Sequence, residues 1–152
     1  MTLFKGAPNA KVLELSKNTH LSRLTTLGDT FGYSAVESMS RVAPVIATSV
    51  TARPEFIDYD NGVTLPLETN AVGEWKHVAQ PDRNTPPFEK VFADTIEDLA
   101  VGAFRACVEL LNNPAKLAAK RQAARRTIEE KFDAVVAGQF WDEVYLDAVT
   151  RS

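Results

Sequence analysis

The apolar positions change rhythm once along the chain. Up to about residue 68, short helical stretches alternate with short apolar runs; from about residue 94 the apolar positions recur at helical spacing nearly to the end. Residues 10–17 predict a helix, with Asn9 as its N-cap after Pro8. Residues 20–26 predict a short strand, Leu27-Gly28-Asp29-Thr30 a loop, and residues 32–41 a second helix. Pro44-Val45-Ile46-Ala47-Thr48 is apolar and rich in β-branched residues, the pattern of a strand buried on both faces. Pro54-Glu55-Phe56-Ile57 predicts one helical turn, Asn61-Gly62 a tight turn, and residues 63–67 another short strand. Strand, helix and strand joined by short loops imply βαβ units in a parallel sheet. The strand at 20–26 should then neighbour the one at 44–48, with the 32–41 helix as a right-handed crossover.

The second part predicts three helices. Asp94 with Glu97 forms a capping-box-like start, and Ile96, Leu99, Ala103, Phe104, Cys107 and Leu111 follow at helical spacing. Asn113-Pro114 opens the next helix, with proline in its favoured first position. The last runs over residues 134–149 and carries Val136, Phe140, Trp141, Val144 and Tyr145. Between the two parts lies a long loop with Trp75, His77 and Pro86-Pro87, a length usually associated with function or mobility. The expected organisation is one domain over 1–152: a βα part at 1–68, a loop at 69–93 and a helical part at 94–152.

Composition narrows the class. Hydrophobic residues make up 45% and charged residues 24% of 152, an ordinary globular balance with room for one core. The net charge of −3 argues against a general nucleic-acid binder. The basic run Lys116, Lys120, Arg121, Arg125 and Arg126 is followed by Glu129 and Glu130, the pattern of a solvated helix face. Cys107 is the single cysteine, so no intrachain disulfide forms; its apolar surroundings mark it as core. Met1 to Lys5 lack a signal peptide's apolar stretch, and no run approaches the ~18 apolar residues of a membrane span. A cytoplasmic protein without a transmembrane segment is expected.

The candidate chemistry lies in Asp29-Thr30-Phe31-Gly32-Tyr33-Ser34-Ala35-Val36-Glu37. Two carboxylates, Asp29 and Glu37, flank the start of a helix whose first N–H groups are unpaired and attract anions. Gly32 lets a ligand approach the backbone. The loop should sit at the carboxyl end of a strand, where open α/β sheets bind ligands. Such a site suits a sugar nucleotide: diphosphate at the helix N-terminus, carboxylates on sugar and ribose hydroxyls. The plainer alternative is that Asp29 or Thr30 caps the helix and Glu37 is solvated.

Asp29 to Met39, followed by Pro44-Val45-Ile46-Ala47-Thr48, resembles the signature of retaining GT-B glycosyltransferases of family four: two acids separated by seven residues, Phe-Gly between them, then a buried Pro-Val-Ile-Ala strand. Pro54-Glu55-Phe56-Ile57, Asn61-Gly62 and Lys131-Phe132 with Trp141 and Tyr145 extend the likeness over most of the chain. The resemblance implies a Rossmann-like donor domain, the later half of it, transferring sugar from a nucleoside-diphosphate sugar with retained stereochemistry. It implies that Asp29 contacts the donor sugar near the reacting carbon, the backbones of Phe31 and Gly32 the sugar hydroxyls, the amides of Tyr33 and Ser34 the diphosphate, and Glu37 the ribose. No metal or other cofactor is required by this reading.

The chain also departs from the family pattern. The first acid is Asp where Glu is common, and Val42 stands where the family has Gly, so a differently made turn is expected there. The family's upstream acceptor domain and its phosphate-binding Arg and Lys have no counterpart here; Gly6-Ala7-Pro8-Asn9 resembles the entry to the later half of the donor domain. The chain then reads as a fragment, with an exposed sheet edge near 20–26 or 44–48 inviting self-association. The alternative function is a non-catalytic module binding a nucleotide or a protein. His20 and His77 lack metal-ligand spacing; His20 reads as structural, His77 as solvated and Trp75 as a loop anchor.

Overall fold

The computed structural model describes residues 6–151, so Met1 to Lys5 lie outside the described residues. Three short parallel strands form the sheet: β1 (Ser22–Leu24), β2 (Val45–Thr48) and β3 (Val63–Leu65), in the order β1-β2-β3. Ser22 pairs with Val45 and Ile46 with Val63. Helix α1 (Asn9–Ser16) precedes β1, and α2 (Tyr33–Ser40) is the crossover from β1 to β2. A 3-10 turn at Arg53–Glu55 leads towards β3. The chain ends in α3 (Pro86–Leu111), α4 (Pro114–Lys131) and α5 (Ala134–Thr150). The protein is therefore α/β, with the expected parallel pairing of the first two strands and carboxy-terminal helices.

Strand β2 organises the core because successive side chains point to opposite faces. Val45 and Ala47 pack with Ala35 and Met39 of α2, Phe56, Ile57 and Ala124 of α4. Ile46 packs on the other face with Leu65, Leu99, Ala103 and Ala106, and half-buried Cys107 joins that cluster as the sequence implies. Helices α2 and α4 thus cover one face and α3 the other. Residues 44–48 are central and buried, so the exposed edge expected there does not exist; the edges are β1 and β3.

Several boundaries differ from expectation. Pro8, not Asn9, is the N-cap of α1. Helix α2 starts after Gly32, which takes φ 87°, and no side chain caps it, so neither Asp29 nor Thr30 does. Helix α3 begins at Pro86, eight residues before Asp94; Pro86 and Pro87 occupy first-turn positions whose N–H groups have no helical partner anyway. Asp94 is therefore interior, paired with Lys90 at 2.7 Å, and caps nothing. Asn113 caps α4 as expected, accepting the Lys116 N–H at 3.0 Å.

The end of α2 keeps the turn that the sequence argued against. Val42 adopts φ 64°, the left-handed region normally left to glycine. Its N–H donates to Met39 O at 2.8 Å and that of Ala43 to Ser38 O at 3.1 Å, which satisfies the last helical carbonyls at the expense of backbone strain.

The basic run on α4 divides. Arg125 and Arg126 are solvated, Arg125 pairing with Glu129 at 2.7 Å. Lys120 is only 4% exposed. Its Nζ donates to the carbonyls of Tyr59 and Gly62, and burial pushes its pKa below the usual lysine value. Among the described residues, no helix is long and apolar enough to cross a membrane.

Candidate functional site

The site begins where β1 ends. Beyond Leu24 the chain runs through Thr25, Thr26, Leu27 and Gly28 to Asp29, all at the carboxyl end of the sheet. The turn after β2 brings Arg53 under this loop, and its side chain is 1% exposed. Arg53 Nη1 donates to Leu24 O at 3.3 Å and to Thr48 Oγ1 at 2.6 Å. Nη2 donates to Thr26 Oγ1 and, at 2.9 Å, to Asp29 Oδ2. Thr48 in turn donates to Thr26 O at 2.6 Å. One guanidinium therefore ties together the ends of β1 and β2 and the Asp29 carboxylate. Its Nε is buried without a partner among the described residues.

Asp29 is oriented from both sides. Oδ2 meets Arg53 and Oδ1 accepts the Thr30 N–H at 2.8 Å. Each oxygen retains a second lone pair, and the side chain is 28% exposed, so it can still accept hydrogen bonds from outside. Gly32 is required next to it: its φ is 87°, and a Cβ there would stand 3.3 Å from Arg53 Nε.

Around Asp29 lies an open hollow of about 580 Å³, whose walls include Thr51, Glu55 and Glu74. Thr51 takes φ 52° and donates its N–H to Gly73 O at 2.7 Å. A Cβ on Gly73 would come within 3.2 Å of the Thr51 backbone, so the 66–85 loop docks here by close backbone approach. The hollow carries three carboxylates, and no Lys or Arg lines it. Its chemistry is that of an acceptor of hydroxyl and other N–H or O–H donors.

The other sequence-marked residues are distributed around this point. Phe31 turns its ring away, stacking on Phe56 at 5.5 Å and meeting Phe132 edge-on at 6.0 Å, which fixes the loop to the core. Gly32 is buried beside Arg53. Tyr33 and Ser34 begin α2, are exposed, and their N–H groups have no partner among the described residues. Glu37 is half-buried one turn later, and among the described residues its carboxylate has no hydrogen bond or ion pair. None of Phe31, Gly32, Tyr33, Ser34 and Glu37 lines the hollow itself. Trp75 is the expected anchor: it is 4% exposed and its N–H donates to Leu27 O at 2.9 Å. His20 is exposed, and His77 is half-buried rather than solvated, held by Gln80 at 2.9 Å.

Arg53 is the residue that sequence reasoning missed. It is the only Lys or Arg between Arg41 and Lys76, and it stands directly before Pro54. That isolation is the signal that was available. No protein-family model and no curated protein matches this chain.

Proposed function

We propose that this chain is the donor-binding part of a retaining sugar transferase of the GT-B kind, holding a nucleoside-diphosphate sugar at the carboxyl end of its sheet. The supporting observation is the junction at Arg53: the same side chain holds Asp29 and abuts Gly32, so a fixed carboxylate adjoins an unpaired helix N-terminus. By the resemblance, Asp29 faces the sugar near its reacting carbon, Phe31 and Gly32 offer backbone groups to sugar hydroxyls, and the Tyr33 and Ser34 amides receive the diphosphate. Glu37, uncommitted to any protein partner among the described residues, accepts the ribose hydroxyls. A Rossmann-like half-domain belongs to the same reading.

A second reading, a nucleotide- or protein-binding module without turnover, is favoured by one observation. Arg53 is sealed and committed to Asp29, and no basic side chain lines the hollow. A diphosphate would meet helix amides alone, which attract it without neutralising it.

The test is titration of the isotope-labelled chain with a panel of nucleoside-diphosphate sugars, followed through backbone amide resonances, beside a transfer assay. Binding should move the Tyr33 and Ser34 amides, and Glu37→Ala should weaken it by about 1.5–3 kcal/mol, roughly ten- to hundredfold. Unmoved amides across the panel would reject the sugar-nucleotide site; the donor-binding part alone is expected to bind without transfer, so the second reading is selected by equal affinity for the nucleoside diphosphate with and without its sugar.

A further inference from the structure

A second cleft, separate from the Asp29 hollow, lies beyond the end of β3, between the residue 66–77 segment and α3. It encloses about 740 Å³, within the range of small-molecule sites. Leu65, Leu67 and Leu99 supply its apolar wall. Trp75 also lines it and is 4% exposed, and its indole N–H has no acceptor among the described residues. The indole nitrogen is not sealed from solvent, so a ligand oxygen entering the cleft can accept from it.

The charges in the lining are unbalanced. Glu68 is matched by Lys76, which lines the same cleft. His77 is held by Gln80. Asp94 has its partner in Lys90, outside the cleft, and both are largely exposed, so water screens that pair. Asp98 has no partner among the described residues. Asp94 and Asp98 are four residues apart on α3, and both line the cleft. Like charges at that spacing disfavour a helix, so the pair is a cost that a bound cation would relieve.

We propose that this cleft binds a small organic amine with an apolar body and a hydrogen-bonding oxygen: the ammonium between Asp94 and Asp98, the body against Leu65, Leu67 and Leu99, the oxygen on the Trp75 indole N–H. Indole is also the most favourable aromatic neighbour for a cation. The inference stands apart from the sugar-nucleotide reading, because none of these residues lines the Asp29 hollow.

The test uses tyramine, its uncharged counterpart 4-ethylphenol, and the anionic 3-(4-hydroxyphenyl)propionate. The protein carries Trp141→Phe, so that Trp75 gives the single indole N–H resonance. Calorimetry measures affinity, and the indole resonance reports the site. Tyramine should bind saturably and shift that resonance, 4-ethylphenol about tenfold more weakly, and the propionate more weakly still. Asp94→Asn with Asp98→Asn, both at exposed positions, should weaken tyramine about tenfold and leave 4-ethylphenol unchanged. Equal affinity for tyramine and 4-ethylphenol, or affinity for tyramine unchanged in the double variant, would overturn the proposal. So would the absence of saturation in the millimolar range with a stationary indole resonance.

Discussion

Strand β2 and helix α5 are both apolar in sequence, and they stand at opposite extremes of burial. All four residues of β2 are buried, Val45, Ile46 and Ala47 to 1% exposure. None of the seventeen residues of α5 is buried, and Phe140, Trp141, Tyr145 and Leu146 are each more than half exposed. The difference lies in partners. Strand β2 has a hydrogen-bonded neighbour on each side and a helix layer on each face, whereas α5 meets the rest of the molecule chiefly through α4. Apolar periodicity therefore fixes the element that forms and the face it would bury, not whether this chain supplies the cover.

That contrast can be broken by mutation. The largest loss should come at the sealed end of β2. Arg53→Ala leaves Asp29 unpaired and removes donors from Leu24 O and Thr48, and should destabilise the protein by about 3–5 kcal/mol in urea unfolding. A loss below about 1 kcal/mol would mean that this network is open to water. Next, Ile46→Ala should cost about 2–4 kcal/mol through the cavity it leaves. Trp141→Ala on α5 should change stability by less than about 0.5 kcal/mol. Equal losses at the two positions would show that α5 is covered in solution after all.

Smaller effects sharpen the picture around the core. Val42→Gly should stabilise the protein by about 1 kcal/mol, seen as a raised Tm, because glycine adopts the left-handed turn without a Cβ clash. The smallest effect concerns pH. Lys120 has a folded-state pKa below 10.5, so in alkali the unfolded chain holds this proton more tightly than the native one. Its contribution to stability should thus rise from just below its lowered pKa up to 10.5. Lys120→Met should flatten that part of the curve, measured by denaturant unfolding against pH.

Local signals made much of this architecture legible. The β1–α2–β2 unit followed from the apolar run at Val45-Ile46-Ala47 and the helical spacing before it, and Asn113 and Pro114 marked the start of α4 through first-turn chemistry. What escaped depends on partners far away in sequence. Asp29 stood out as a carboxylate, but Arg53 lies 24 residues on, and no spacing rule links them. Lys120 shares its run with solvated arginines, and only the packing of α4 against the Tyr59–Gly62 turn separates it from them. Pro86-Pro87 read as part of the long loop, yet they open α3, because proline's missing N–H costs nothing in a first turn.

The Asn61-Gly62 turn has a consequence for chemical ageing. Asparagine before glycine is the sequence most prone to deamidation, because the following backbone nitrogen can close on the side-chain carbonyl to form a succinimide. In this fold Asn61 is 2% exposed. Its amide group donates to Phe56 O and Thr127 Oγ1, both at 2.9 Å, and its Oδ1 accepts the Asp58 N–H at 3.0 Å. The Gly62 nitrogen that would have to attack is itself donated to Asp58 O at 3.1 Å. The reaction must wait for the turn to open. The slow appearance of aspartate and isoaspartate at position 61 would then serve as a clock for how often the contact between α4 and this turn comes apart.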